Sequence, residues 1–175
     1  AANRKVLFTL MVAELAEGRG RFIDQIINGV FLFCEMTTWS PPAHLYIQKV
    51  RSPFPDHSED IIDISGAETA AVLAWAYYFF HAEFDKHNKL ISKRLYGELE
   101  RRILNNYIKD VGWWWLAENY KPGMLVNNWN PWCNSNVLLC YMLLDGDKDR
   151  FAKAVYKSMR SVDKYLNYVN EDGAC

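Results

Sequence analysis

Apolar side chains recur along this chain every three to four residues, the spacing that gathers them on one face of an α-helix. Arg4 to Glu17 is helical by propensity, and Gly18 and Gly20 end it. A second helix, Arg21 to about Met36, carries Phe22, Ile23, Ile26, Ile27, Val30 and Phe33 at helical intervals. Pro41, Pro42, Pro53 and Pro55 then exclude regular helix from Thr37 to Asp60, which reads as a long loop. Ser65 with Glu68 has the form of a capping box for a helix over Ala67 to Phe84. That segment is apolar on nearly every side, so it is expected to be buried all round. Its partner, about Lys89 to Lys109, sets a stripe of Ile91, Leu95, Leu99 and Ile103 against a charged side of Lys93, Arg94, Glu98, Glu100 and Arg101.

The alternation then repeats. Asn130 is placed to cap and Pro131 to open the next helix, in which Val137 to Leu144 is again apolar all round. After the Asp145-Gly146-Asp147 turn, Phe151, Val155, Met159, Val162, Leu166 and Val169 mark one stripe of a final amphipathic helix. The fold class is therefore all-α, a single helical domain over residues 1–175 made of about three helical hairpins. An inner helix buried on all sides followed by an outer helix with one wet face is what two concentric rings of helices require. The expected architecture is thus a partial (α/α) toroid. A long bundle or a solenoid gives the same alternation over three pairs, but no fixed repeat of roughly 34 or 40 residues is present.

Composition narrows the function classes. Half the residues are apolar and 15% are aromatic, which points to a packed core with large rings. Twenty Lys and Arg balance 21 Asp and Glu for a net charge of −1, so nucleic acid is not an expected partner. No stretch is apolar for the roughly 18 residues a membrane span needs. The four cysteines, Cys34, Cys133, Cys140 and Cys175, lack CxxC spacing, and Cys133 and Cys140 read as small core residues. No metal or cofactor motif is present.

The sharpest segment for chemistry is Asp110 to Asn136, which holds five of the seven tryptophans together with Asn127, Asn128, Asn130, Asn134 and Asn136. Flat aromatic faces match the C–H faces of sugar rings, and amides bind hydroxyls and carboxylates. The plainer alternative is that the rings lock a long loop to the core and the asparagines cap helices, and composition alone favours it.

The run Asn127-Asn128-Trp129-Asn130-Pro131-Trp132-Cys133-Asn134-Ser135-Asn136 resembles the asparagine-tryptophan signature of heparinase II/III-like proteins. Ala13 to Leu45, with its Trp39-Ser40-Pro41-Pro42-Ala43-His44 loop, resembles that family's helix pair and histidine loop. Ile62 to Phe79 resembles its next inner helix, and Glu171-Asp172-Gly173-Ala174-Cys175 the start of its following loop. The resemblance implies β-elimination on a uronic-acid-containing polysaccharide, with no cofactor. Asn127 and Asn128 would be catalytic, neutralising the substrate carboxylate. His44, Trp39, Trp113, Trp114, Trp115, Trp129, Trp132 and Asn130 would bind substrate. Trp129 stands where relatives carry a histidine. The family's tyrosine, further helices and a β-sandwich would follow Cys175. The chain is accordingly expected to be part of a larger protein, silent as a catalyst by itself, with an apolar edge inviting self-association. A periplasmic or secreted home is implied in the same way.

Two alternatives remain open at this stage. One is a toroidal glycoside hydrolase or non-catalytic glycan binder, for which Glu35, or Glu171 with Asp172, would have to supply carboxylates. The other is a helical protein-interaction module. Of the other polar residues, His57, His81 and His87 are expected at the surface, Glu14 and Glu35 as partners of arginines, and Glu59, Asp60 and Asp63 as an acidic loop able to attract a cation.

Overall fold

A computed structural model describes residues 2–109 and 111–173 of the chain. They form seven α-helices with no strand among the described residues: α1 (Ala2–Glu17), α2 (Ile23–Cys34), α3 (Ile64–His87), α4 (Lys89–Leu99), α5 (Asn105–Tyr107), α6 (Trp129–Leu144) and α7 (Lys148–Leu166). Three pairings of helices consecutive or nearly so in the chain organise them: α1 with α2, α3 with α4, and α6 with α7. Helix α3 is the centre, packed on α1, α2, α4 and most extensively on α6. The all-helical class and the hairpins expected from periodicity are present. Asp110, Ala174 and Cys175 lie outside the described residues.

The stripes of α2 and α4 face the core as their spacing requires. Ile26, Val30, Leu95 and Leu99 are fully buried. Two other expectations are corrected. Helices α3 and α6 are not buried all round: Tyr78 and Phe79 on α3, and Trp132 and Met142 on α6, are exposed. Each has neighbours on only part of its circumference, so an all-apolar sequence still leaves an open side. On α7, Met159 and Leu166 of the expected stripe are exposed, and the buried positions are Ala154, Ser158 and Ser161. These small residues let α7 approach α6 closely, and Ser161 there exchanges hydrogen bonds where a larger apolar side chain would only occupy volume.

The caps differ as well. Asp63, not Ser65, caps α3, its carboxylate accepting from the Gly66 N–H at 2.6 Å. Glu68 instead pairs with Arg4 across to α1. Helix α6 starts at Trp129, so Asn130 sits inside the first turn rather than capping it. Between α4 and α5 the backbone widens into a π-turn over Glu100–Leu104, a local change that no apolar spacing signals. Arg102 is buried there, bonded to Glu98 at 2.8 Å and to the Met36 carbonyl at 2.7 Å. Glu14 is also buried but serves no arginine. Its carboxylate accepts the N–H groups of Gly20 and Phe22 and so fixes the α1–α2 turn. Glu35 is exposed and faces Arg94 at 3.4 Å.

Candidate functional site

The proline-rich loop reaches its functional position through Asp63. This carboxylate is fully buried at the head of α3. One oxygen accepts from Gly66 N and from the Ser40 hydroxyl at 2.8 Å, and the other faces Nδ1 of His44. A Cβ at residue 66 would lie 2.9 Å from the Asp63 oxygen, so any larger residue there would push on the capping carboxylate. The buried Asp63 carboxylate engages Nδ1 and so fixes the orientation of the imidazole. The histidine comes from a 3₁₀ turn over Pro42–Ile47, and its side chain is 20% exposed.

His44 lies against Trp129, ring centres 4.6 Å apart, and Trp129 lies 5.1 Å from Trp114. Imidazole and two indoles thus form a short aromatic ladder, with Trp114 exposed at its far end. Trp114 is presented by a 3₁₀ turn, Trp114–Leu116, ended by Ala117 in the left-handed region at φ 52°. Trp129 opens α6, where the Asn127 side-chain oxygen accepts its N–H at 2.9 Å. Asn128 is exposed beside it and makes no side-chain cap bond. His44, Trp114, Trp129, Asn127 and Asn128 therefore gather at one end of α6, around a ladder that no single stretch of sequence supplies.

Four other expected ligands, Trp39, Trp113, Trp115 and Asn130, are buried. Trp113 and Trp115 stack at 5.5 Å and are both buried. Trp115 donates to the Ile62 carbonyl at 2.9 Å, tying the 113–117 loop to the head of α3. Trp39 is buried beneath the Arg102 guanidinium and donates to the Phe33 carbonyl at 2.9 Å. Asn130 is fully buried, and its amide donates to the Trp115 carbonyl and to Ser161. Interior hydrogen bonds close off Trp39, Trp115 and Asn130, whereas Trp113 is buried but borders the hollow beside Trp114. Trp132 is exposed on α6 but stands outside the ladder.

The acidic loop holds no vacant ligand set. Glu59 accepts from Lys49 N, Asp60 pairs with Arg101, and Asp63 serves His44. Burial pushes the Cys34 thiol up to about 11, against ordinary values near 9, and raises Cys133 and Cys140 further. These three are core thiols without nucleophilic character. His57, His81 and His87 are exposed, as expected.

Asp63 is the site residue that sequence reasoning misplaced. The available signal was its position three residues before Gly66, the geometry of an Asp N-cap. No family model matches the chain, and a search of curated proteins finds no match.

Proposed function

We propose that the His44–Trp129–Trp114 ladder binds an acidic polysaccharide, and that the chain is the helical, carbohydrate-binding part of a heparinase II/III-like lyase built on an (α/α) toroid. The observation that carries this reading is the pairing of a partly exposed imidazole, oriented by a buried carboxylate, with two indoles in tilted contact, the outer one exposed. Rings of this kind hold a sugar face, and the oriented base is placed beside them. The residue after Asn128 is a tryptophan, where the family resemblance calls for histidine. His44 brings an imidazole against that same tryptophan from another loop.

In the elimination, the Asn128 amide hydrogen-bonds the uronate carboxylate and stabilises charge as it builds on the carboxylate oxygens. His44 Nε2 takes the C5 proton, the electron pair of that bond forms the C4–C5 double bond, and the C4–O4 bond breaks with O4 taking a proton from an acid. Asn127 supports this from behind, since its side-chain oxygen is committed to the start of α6. A glycan-binding module without turnover uses the same ladder and no proton transfer.

The test is to titrate the chain with oligosaccharides from heparan, chondroitin and alginate, following tryptophan fluorescence and the absorbance of unsaturated uronate in parallel. Saturable fluorescence change is expected, weakened about tenfold or more in Trp129→Ala and Trp114→Ala, a loss of roughly 1.4 kcal/mol in affinity. Absence of any fluorescence response to all three would refute glycan binding. Binding without product identifies the module, and product that His44→Ala abolishes identifies the lyase.

A further inference from the structure

Beyond the ladder, a cavity of about 380 Å³ opens between the 116–118 loop, the end of α5 and the side of α7. Its wall includes Lys157, Arg160 and Lys164 on successive turns of α7, with Glu118, Tyr156 and Leu116. Three cations face one carboxylate in a space large enough for about one sugar residue. Lys157 is held in place by the Lys109 carbonyl at 3.0 Å and by Glu118 at 3.7 Å. Arg160 stacks over Tyr156, its guanidinium carbon 5.7 Å from the ring centre. Burial lowers the Lys164 ammonium below its ordinary range, and the Arg160 charge lowers it further, with Glu118 opposing. Charging this wall costs free energy that a bound anion would return.

The cavity is not isolated from the ladder. A neighbouring hollow of about 320 Å³ is lined by Trp114, Glu118 and Tyr120. Trp114 thus belongs to both the ladder and this hollow, and Glu118 to both the hollow and the basic cavity. These shared residues put the basic cavity next to the hollow, and the hollow next to Trp114.

We propose that Lys157, Arg160 and Lys164 form an anion subsite that receives a carboxylate or sulfate substituent of a glycan whose rings lie on Trp129 and Trp114. This rests on the reading of the ladder as a glycan site and specifies the charge that the glycan carries at a distance from it. The subsite works by charge-assisted hydrogen bonds, which are stronger than those between neutral groups.

The experiment is calorimetric titration of the chain, wild type and Lys164→Gln, Arg160→Gln and Glu118→Gln, with an unsulfated oligouronate, a sulfated oligosaccharide, a neutral oligosaccharide of equal length, a single-stranded oligonucleotide of equal charge, and sodium sulfate. Lys164→Gln and Arg160→Gln should each weaken an acidic oligosaccharide about tenfold and leave the neutral one unchanged. Glu118→Gln should strengthen acidic binding. Equal thermal midpoints exclude unfolding as the cause. A loss confined to the sulfated ligand assigns the subsite to sulfate, and a loss with the oligouronate assigns it to carboxylate. Unchanged affinity for both acidic ligands in Lys164→Gln and Arg160→Gln overturns the subsite while leaving the ladder standing. Sulfate binding that Lys164→Gln removes, without glycan binding by the wild type, upholds an anion site and overturns the ladder. The oligonucleotide binding as tightly, with the same losses, overturns the proposal in favour of a general polyanion surface.

Discussion

Asn130→Ala separates the two jobs that an asparagine in the tryptophan segment could do. In the structure the Asn130 amide nitrogen lies 2.9 Å from the Trp115 carbonyl, 3.2 Å from the Ser161 carbonyl and 2.9 Å from the Ser161 hydroxyl. The Ser161 hydroxyl also accepts from Asn134 and donates to the Leu116 carbonyl, both at 2.9 Å, so its hydrogen-bonding capacity is filled. Asn134 in turn accepts from the Tyr107 hydroxyl at 2.5 Å, and burial raises that phenol so that it stays protonated. The knot joins α5, the 113–117 loop, α6 and α7. Removing the Asn130 side chain strands one buried carbonyl, that of Trp115, because the Ser161 carbonyl stays in the α7 ladder and the Ser161 hydroxyl keeps Asn134. At about 1–3 kcal/mol for a stranded group, the loss is about 1–3 kcal/mol. That is a sizeable part of the roughly 5–15 kcal/mol that holds a domain of this size folded.

Urea unfolding followed by tryptophan fluorescence and circular dichroism measures the loss directly. Asn130→Asp keeps the shape but aims a carboxylate at three acceptor oxygens, and should be at least as damaging. Ser161→Ala should cost a similar amount, and the double variant less than the sum, because both changes break one network. An unfolding midpoint for Asn130→Ala within about 0.5 kcal/mol of wild type, together with weakened glycan binding, would refute the knot and return Asn130 to the ligand face.

Trp115→Phe removes the donor to the Ile62 carbonyl and should cost about 1–3 kcal/mol in the same unfolding assay; no loss would mean that the loop is not tied to α3 through this bond. Asp145, whose side chain is almost wholly buried, is held below the ordinary carboxylate range chiefly by its hydrogen bond from Arg150, against the opposing effect of burial. A depressed carboxylate stabilises fully above its unfolded value near 4 and loses that contribution as pH falls through its lower folded value. Asp145→Asn should therefore cost about 1–2 kcal/mol at pH 7, with the gap to wild type closing as melts are taken well below pH 4; a gap independent of pH would refute the ion pair as its source.

Much of the fold was legible because apolar spacing reports which face of a helix is buried. The stripes of α2 and α4 follow from Ile26, Val30, Leu95 and Leu99 alone. The spacing fails where burial is not apolar. On α7 the interior positions are Ala154, Ser158 and Ser161, whose small size and hydroxyls suit a close, hydrogen-bonded contact, while the more conspicuous Met159 and Leu166 stay outside. It fails again at Arg102, where a π-turn puts a charged residue inside against Trp39. Neither event leaves a trace in hydropathy. Both depend on partners 45 or more residues away, Leu116 for Ser161 and Met36 for Arg102.

The segment from Asn127 to Asn136 shows why composition located the site without resolving it. Once α6 begins at Trp129, the helical repeat alone divides the residues. Asn130, Cys133, Asn134 and Val137 point inward and are fully buried, while Trp132 and Ser135 point outward and are exposed. A start two residues later, with Asn130 as the cap, carries no such assignment for the first turn and leaves every tryptophan and asparagine a candidate ligand. The start itself is set by Asn127, whose side chain accepts the Trp129 N–H. Trp129 falls between the two faces, half-buried, with one side against His44 and another toward Trp114. That intermediate position is what a platform requires: enough packing to hold the ring still, and enough exposure to be touched. Trp113 and Trp115, one residue to either side of Trp114, fail the second condition, and Trp132, exposed but outside the ladder, lacks the ring neighbours that meet the first.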